Sequence, residues 1–199
     1  MANTLDVNVI AVQDGYEFLY GTVARVLMGQ YFKAGASGPI SRASASLFKL
    51  NSPTDNLIAK IYSATLSVTT LFVADATPIA TSTTSYDGSS LPSYPAPVSL
   101  ANAPFVDFDF NGSASFVSGS YYLLSIERTG AANDTNRYGW SGNGTSVYSD
   151  GGQIAGTTAT AWVAGNGNGS NSITTNNDQT FRTYYDPSLG NRAFFGMVT

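Results

Sequence analysis

The chain has no cysteine and no histidine. Without cysteine there are no disulfides, no thiolate metal sites and no thiol nucleophile. Without histidine, a Ser-His-Asp arrangement and imidazole ligation of a metal are excluded as well. Charge is scarce: 11% of the 199 residues are Asp, Glu, Lys or Arg, 9 of them basic and 13 acidic, and the lysines are Lys33, Lys49 and Lys60. A formal net charge of −4 offers no basic stripe, so a role in binding nucleic acid through its phosphates has no support. No apolar run approaches the roughly 20 residues that a membrane span needs. The opening Met1-Ala-Asn-Thr-Leu-Asp-Val lacks the basic region and apolar stretch of a secretion signal. The expectation is a soluble chain with no nucleic-acid or membrane partner.

What the chain does have is apolar and aromatic material. Hydrophobic residues make up 43% and aromatic ones 13%, with twelve Tyr and eleven Phe, enough for the core of one large β domain. Helical periodicity is nearly absent. Short alternating runs recur between turn signals about every ten residues, the pattern of an all-β sandwich or barrel. The alternation predicts strands over residues 5–12, 41–50, 56–63, 106–111, 121–128, 137–140 and 179–185. Asp14-Gly15, Asp87-Gly88, Asn111-Gly112, Asn143-Gly144 and Asp150-Gly151 tolerate positive φ and so close the turns between them.

The clearest strand is Val106-Asp107-Phe108-Asp109-Phe110, which puts the apolar residues on one face and both aspartates on the other. In 121–127 both alternating sets contain apolar residues, so both faces are expected to be covered at least in part. Residues 14–27 are ambiguous, because Asp14 with Glu17 fits a helix capping box while Gly21-Thr22 between apolar runs fits a hairpin. Pro92, Pro95, Pro97 and Pro104 argue for a meandering loop across the sandwich edge. The Gly-, Asn-, Ser- and Thr-rich residues 165–177 read as an exposed loop.

Candidate chemistry is thin. Asp107 and Asp109 share a strand face about 7 Å apart, a spacing open to glycoside chemistry, but a solvated sheet face explains them better. Asn133, Asp134, Thr135, Asn136, Asn143 and Asp150 supply oxygen ligands of the kind calcium takes, at a spacing that matches no EF-hand loop and that turn formation accounts for. Asn111, Asn133, Asn143 and Asn168 begin Asn-X-Ser/Thr triplets and read as loop residues. The chain is therefore expected to be non-enzymatic, with no cofactor and no metal. Two groups point to binding. Tyr138, Trp140 and Tyr148 sit among Gly, Ser and Asn and could stack on sugar rings, with core packing of Trp140 as the competing explanation. The apolar tail with Phe194, Phe195, Met197 and Val198 must find cover, either in a subunit contact or on its own sheet.

Several segments together resemble a β-sandwich domain of phage and bacterial surface proteins, the choice-of-anchor or carbohydrate-binding-like jelly roll. Gly29-Gln30-Tyr31-Phe32 is similar to the family's opening Gly-Gln-Ser-Phe, with Tyr31 in place of a small residue. The run from Leu47 to Tyr62, through Ser52-Pro53-Thr54-Asp55-Asn56-Leu57, resembles its strand, turn, strand unit, with Asp55 where Gly is usual. Tyr138-Gly139-Trp140, then Tyr148-Ser149-Asp150-Gly151-Gly152, then Asp178-Gln179-Thr180-Phe181-Arg182-Thr183-Tyr184 resemble its closing section.

The resemblance implies an antiparallel jelly-roll-like sandwich over residues 28–186, flanked by an N-terminal extension at 1–27, a strand with a hairpin or short helix, and an apolar C-terminal extension at 187–199. It specifies a fold and no reaction. The expectation is a virion structural protein of a tailed phage, a capsid decoration (cement) protein or a small head or tail appendage subunit. Such a protein would bind capsid or tail proteins and self-associate. The alternative is a carbohydrate-binding module or adhesin-like surface domain with a glycan partner.

Overall fold

The structure is a computed structural model that describes residues 3–10, 15–19, 27–67, 70–73, 77–94, 102–131, 135–143, 148–156, 162–164 and 178–190. In chain order the strands are β1 (Thr4–Val9), β2 (Gly15–Leu19), β3 (Leu27–Lys33), β4 (Gly38–Leu50), β5 (Leu57–Ser67), β6 (Thr70–Val73), β7 (Ala80–Thr81) and β8 (Phe105–Asp109). They continue with β9 (Ser115–Phe116), β10 (Tyr121–Arg128), β11 (Arg137–Asn143), β12 (Gly152–Gly156), β13 (Trp162–Ala164), β14 (Asp178–Gln179) and β15 (Phe181–Tyr185), followed by the one-turn helix α1 (Pro187–Gly190).

Among the described residues the strands form two antiparallel sheets that pack on each other. The first runs β1-β15-β4-β11-β14, with β2 on β11 and with β8 and β9 on β4. The second runs β13-β12-β3-β10-β5-β6, with β7 on β5. The chain is an all-β sandwich whose neighbouring strands are mostly distant in sequence. Among the described residues no helix is long and apolar enough to cross a membrane.

The alternation predicts which side chains meet. Val106, Phe108 and Phe110 are buried while Asp107 and Asp109 are exposed. From the facing sheet Tyr122, Leu124 and Ile126 enter the same core, where Phe32 lies against Phe116, Phe181 and Tyr122 with ring centroids 5.7, 5.6 and 6.0 Å away. The other set of β10 is covered too: Leu123 packs with Tyr31, Tyr62 and Ile154 in a second apolar cluster. β6 and β13, the two ends of this sheet's path, come into contact.

β1 is hydrogen-bonded along β15, and Gly15–Leu19, within the segment open to helix or hairpin, is a strand paired with β11. Pro92 and Pro104 lie against the first sheet, their carbonyls accepting from the amides of Lys49 and Leu47, and Tyr94 covers Phe48, while Pro95 and Pro97 lie outside the described residues. The predicted loop at 165–177 and the apolar tail residues Phe194, Phe195, Met197 and Val198 lie outside the described residues.

Two polar networks fix the frame. Buried Asp178 accepts from Gln30 Nε2 at 3.2 Å and from the Tyr148 amide at 2.8 Å, and Gln30 Oε1 accepts from the Gln179 amide at 2.8 Å. In the second, Arg128 donates from Nε and Nη2 to the two Asp55 oxygens at 2.8 and 2.6 Å, and from Nη1 to the carbonyl of Asn136 at 2.9 Å. Tyr138 completes it by donating its hydroxyl to the carbonyl of Asp55. Gln30, Asp55, Tyr138, Tyr148 and Asp178 are thus framework residues.

Candidate functional site

β1 ends the path of the first sheet, so its outer backbone edge has no paired strand among the described residues. Its register with β15 is interrupted. Leu5 lies opposite Tyr184 and Val7 opposite Thr183, which leaves Asp6 as an extra residue in a β-bulge.

The bulge changes which side chains share a face. Without it Leu5, Val7 and Val9 would point the same way. With it Val7 and Val9 enter the core at 7% and 4% exposure, while Leu5 turns outward to the side of Asn8 and Ile10. Leu5 is 47% and Ile10 59% exposed, two of three large apolar side chains open to solvent among the described residues.

Asp6 holds the bulge in place. Its Oδ1 accepts from the amides of Gly35 at 3.0 Å and Ala36 at 2.8 Å, and Thr183 Oγ1 donates to its Oδ2 at 3.4 Å. Burial pushes the Asp6 carboxyl above its ordinary range, against the lowering effect of those bonds. Beside it a cleft of about 480 Å³ opens at one end of the sandwich, lined by Asp6, Asn8, Lys33, Ser118, Tyr148 and Asp150 among others.

The outer face next to β1 is a ladder of paired polar groups. Across β1, β15, β4 and β8 one row reads Leu5, Tyr184, Arg42, Asp109 and the next reads Asn8, Arg182, Ser44, Asp107. Arg42 donates to Asp109 at 2.7 Å and to Asp107 at 2.8 Å. Arg182 donates to Asn8 at 3.0 Å and stacks 4.0 Å over the ring of Phe105. Both aspartates are held by one arginine on an open sheet face. At the far side of this four-strand row, β8 carries Asp107 and Asp109, the kind of charge that guards a sheet edge against strand addition. β1 has one charge, Asp6, and its carboxylate is turned toward the neighbouring turn.

The aromatic residues expected to stack on sugars are not gathered into one exposed platform. Trp140 and Tyr138 are each 0% exposed and offer no ring face to a glycan. Trp140 packs in the core and donates its indole N–H to the Thr180 carbonyl at 2.9 Å. Tyr148 is half-buried and reaches the cleft, with its ring edge on Phe181 and its hydroxyl donating to the Lys33 carbonyl at 3.1 Å. Burial pushes that hydroxyl up to about 12. Of the oxygen-rich group, Asn136 accepts from the Ser52 amide while Asp150 lines the cleft, so the two serve different parts of the fold. Among the described residues no three Asp or Glu side chains converge as metal ligands.

Leu5 and Ile10 were not singled out by the sequence, although the strand that bears them was. The available signal was the strand's composition: 3–10 contains no Lys and no Pro, the residues that commonly protect an edge. No family model matches the chain, and no curated protein matches it.

Proposed function

We propose that this chain is a non-catalytic structural subunit that assembles by strand addition at the β1 edge. The observation that carries the reading is an edge strand with no paired neighbour on its outer side among the described residues and with two exposed aliphatic side chains, Leu5 in the strand and Ile10 just past its end. Unpaired backbone groups along such an edge give affinity by main-chain hydrogen bonds, and flanking apolar side chains add burial. The setting that suits it is a particle built from repeated subunits. The sequence resemblance supports the head or tail of a tailed phage, with this chain as a decoration protein or appendage. Burial of Tyr138 and Trp140 weighs against the glycan-binding alternative.

The test is to place a positive charge at both exposed positions, Leu5→Lys with Ile10→Lys, and compare sedimentation with the unmodified chain. Both side chains face solvent, so the melting temperature should change little. The unmodified protein is expected to form species larger than its 20.9 kDa monomer, and the variant to remain monomeric. Undiminished assembly in the variant would contradict the proposal.

A further inference from the structure

Resting on that reading of the β1 edge, we infer that its partner is a second copy of this chain, added antiparallel about a two-fold axis beside Asn8. A two-fold contact is isologous: if one residue faces another across it, the reverse pair forms as well. Leu5 and Asn8 point outward from β1, and the exposed Ile10 follows its last residue. Continued by that one residue, the strand sets Ile10 one full pleat repeat beyond Asn8. Leu5 precedes Asn8 by three, but the bulge at Asp6 absorbs one of them, so it too is one repeat away. The outward positions are therefore symmetric about Asn8.

With Asn8 opposite its own copy, Leu5 of each chain faces Ile10 of the other. Directly opposed side chains in an antiparallel pair have Cβ atoms about 5 Å apart, close enough for two aliphatic groups to pack. The arrangement covers both Leu5 in β1 and Ile10 just past its end, and matches amide with amide at the centre. A one-residue slip would set the outward side chains of one copy opposite the core-facing Val7 and Val9 of the other, and a two-residue slip would set Ile10 against Asn8 and strand Leu5. Charge does not oppose the pairing, since the one ionisable side chain of β1, Asp6, is bound to the amides of Gly35 and Ala36. Pairing would also make the two eight-stranded sheets continuous, leaving no open backbone at this edge.

A chain without cysteine allows single thiols to report the register. Under mild oxidation Asn8→Cys should form a disulfide-linked dimer at least about tenfold faster than Ser149→Cys, an exposed control, because proximity in the dimer replaces chance encounter. Leu5→Cys and Ile10→Cys should each link slowly alone, and an equimolar mixture should give the mixed dimer. An Asn8→Cys rate no greater than the control would overturn the two-fold register. If Leu5→Lys with Ile10→Lys still abolished assembly, edge addition would stand with a different partner or register. A chain monomeric at every concentration, with β1 amides already protected by another part of itself, would overturn both.

Discussion

Arg128 and Asp55 meet side on, two guanidinium N–H groups against two carboxylate oxygens, with side-chain exposures of 7% and 15%. The pair ties the turn after β4 to the end of β10, and the guanidinium also lies 5.2 Å over the Tyr138 ring. Asp55 stands in the Ser-Pro-Thr-Asp-Asn-Leu turn. The carboxylate is used here, since it also accepts from the Gly130 amide at 3.3 Å.

Removing one partner leaves the other charge largely buried and alone. Arg128→Ala should therefore cost about 3–5 kcal/mol, read as a lower midpoint in urea unfolding. A loss under about 1 kcal/mol, the scale of a surface pair, would show that the pair does not hold the turn.

The same pair sets a pH dependence. Burial alone would raise the Asp55 carboxyl, but the hydrogen bonds and charge of Arg128 outweigh it and hold the group below its ordinary 3.8. A depressed carboxyl contributes stability above its unfolded value and loses it as pH falls through the folded one. In Asp55→Asn the stability deficit should be constant near neutral pH and shrink below pH about 4, as protonation removes the wild-type advantage.

Asp6 carries the opposite sign. Burial raises its carboxyl despite the bonds from Ala36, Gly35 and Thr183, so the fold favours the protonated form. Its contribution is fully present below the unfolded value and lost as pH rises through the folded one. Asp6→Asn, which keeps an acceptor for the turn, should melt no lower than the wild type at neutral pH and lose ground only in acid. A large loss at neutral pH would mean that the ionised carboxylate is needed to hold the bulge.

Trp140 distinguishes a core residue from a ligand platform. Trp140→Ala should cost about 3–5 kcal/mol by emptying a core site. Trp140→Phe should cost less, about 1 kcal/mol, because the Thr180 carbonyl loses one donor but keeps the Ser46 amide while most of the volume stays filled. Thermal melts decide it. Unchanged stability in both would contradict the buried placement.

Much of the frame was legible from alternation. Val106, Phe108 and Phe110 announce their face without help from the rest of the chain. β12 does not, since Gly152-Gln-Ile-Ala-Gly has little side-chain pattern. Gly152 answers a tertiary need, as a Cβ there would lie 2.8 Å from the Tyr31 ring. The short strands β6, β7 and β13 likewise exist because a longer neighbour pairs with them. At the edge, simple alternation groups Leu5 with Val7 and Val9 as core, and one extra residue at Asp6 reverses Leu5. That bulge depends on the turn at Gly35 and Ala36, about thirty residues on, which no local pattern contains. Trp140 shows the converse limit: composition nearby suggests a loop platform, whereas the partner that buries it, Thr180, is remote in sequence.

The account turns on whether β1 is an open edge that another chain closes. Amide hydrogen exchange of the unmodified protein, followed over residues 4–10 across a range of protein concentrations, addresses this directly. Exchange in this segment is expected to slow as concentration rises while β10, central in its sheet, stays protected throughout. Exchange at residues 4–10 that does not vary with concentration would contradict it.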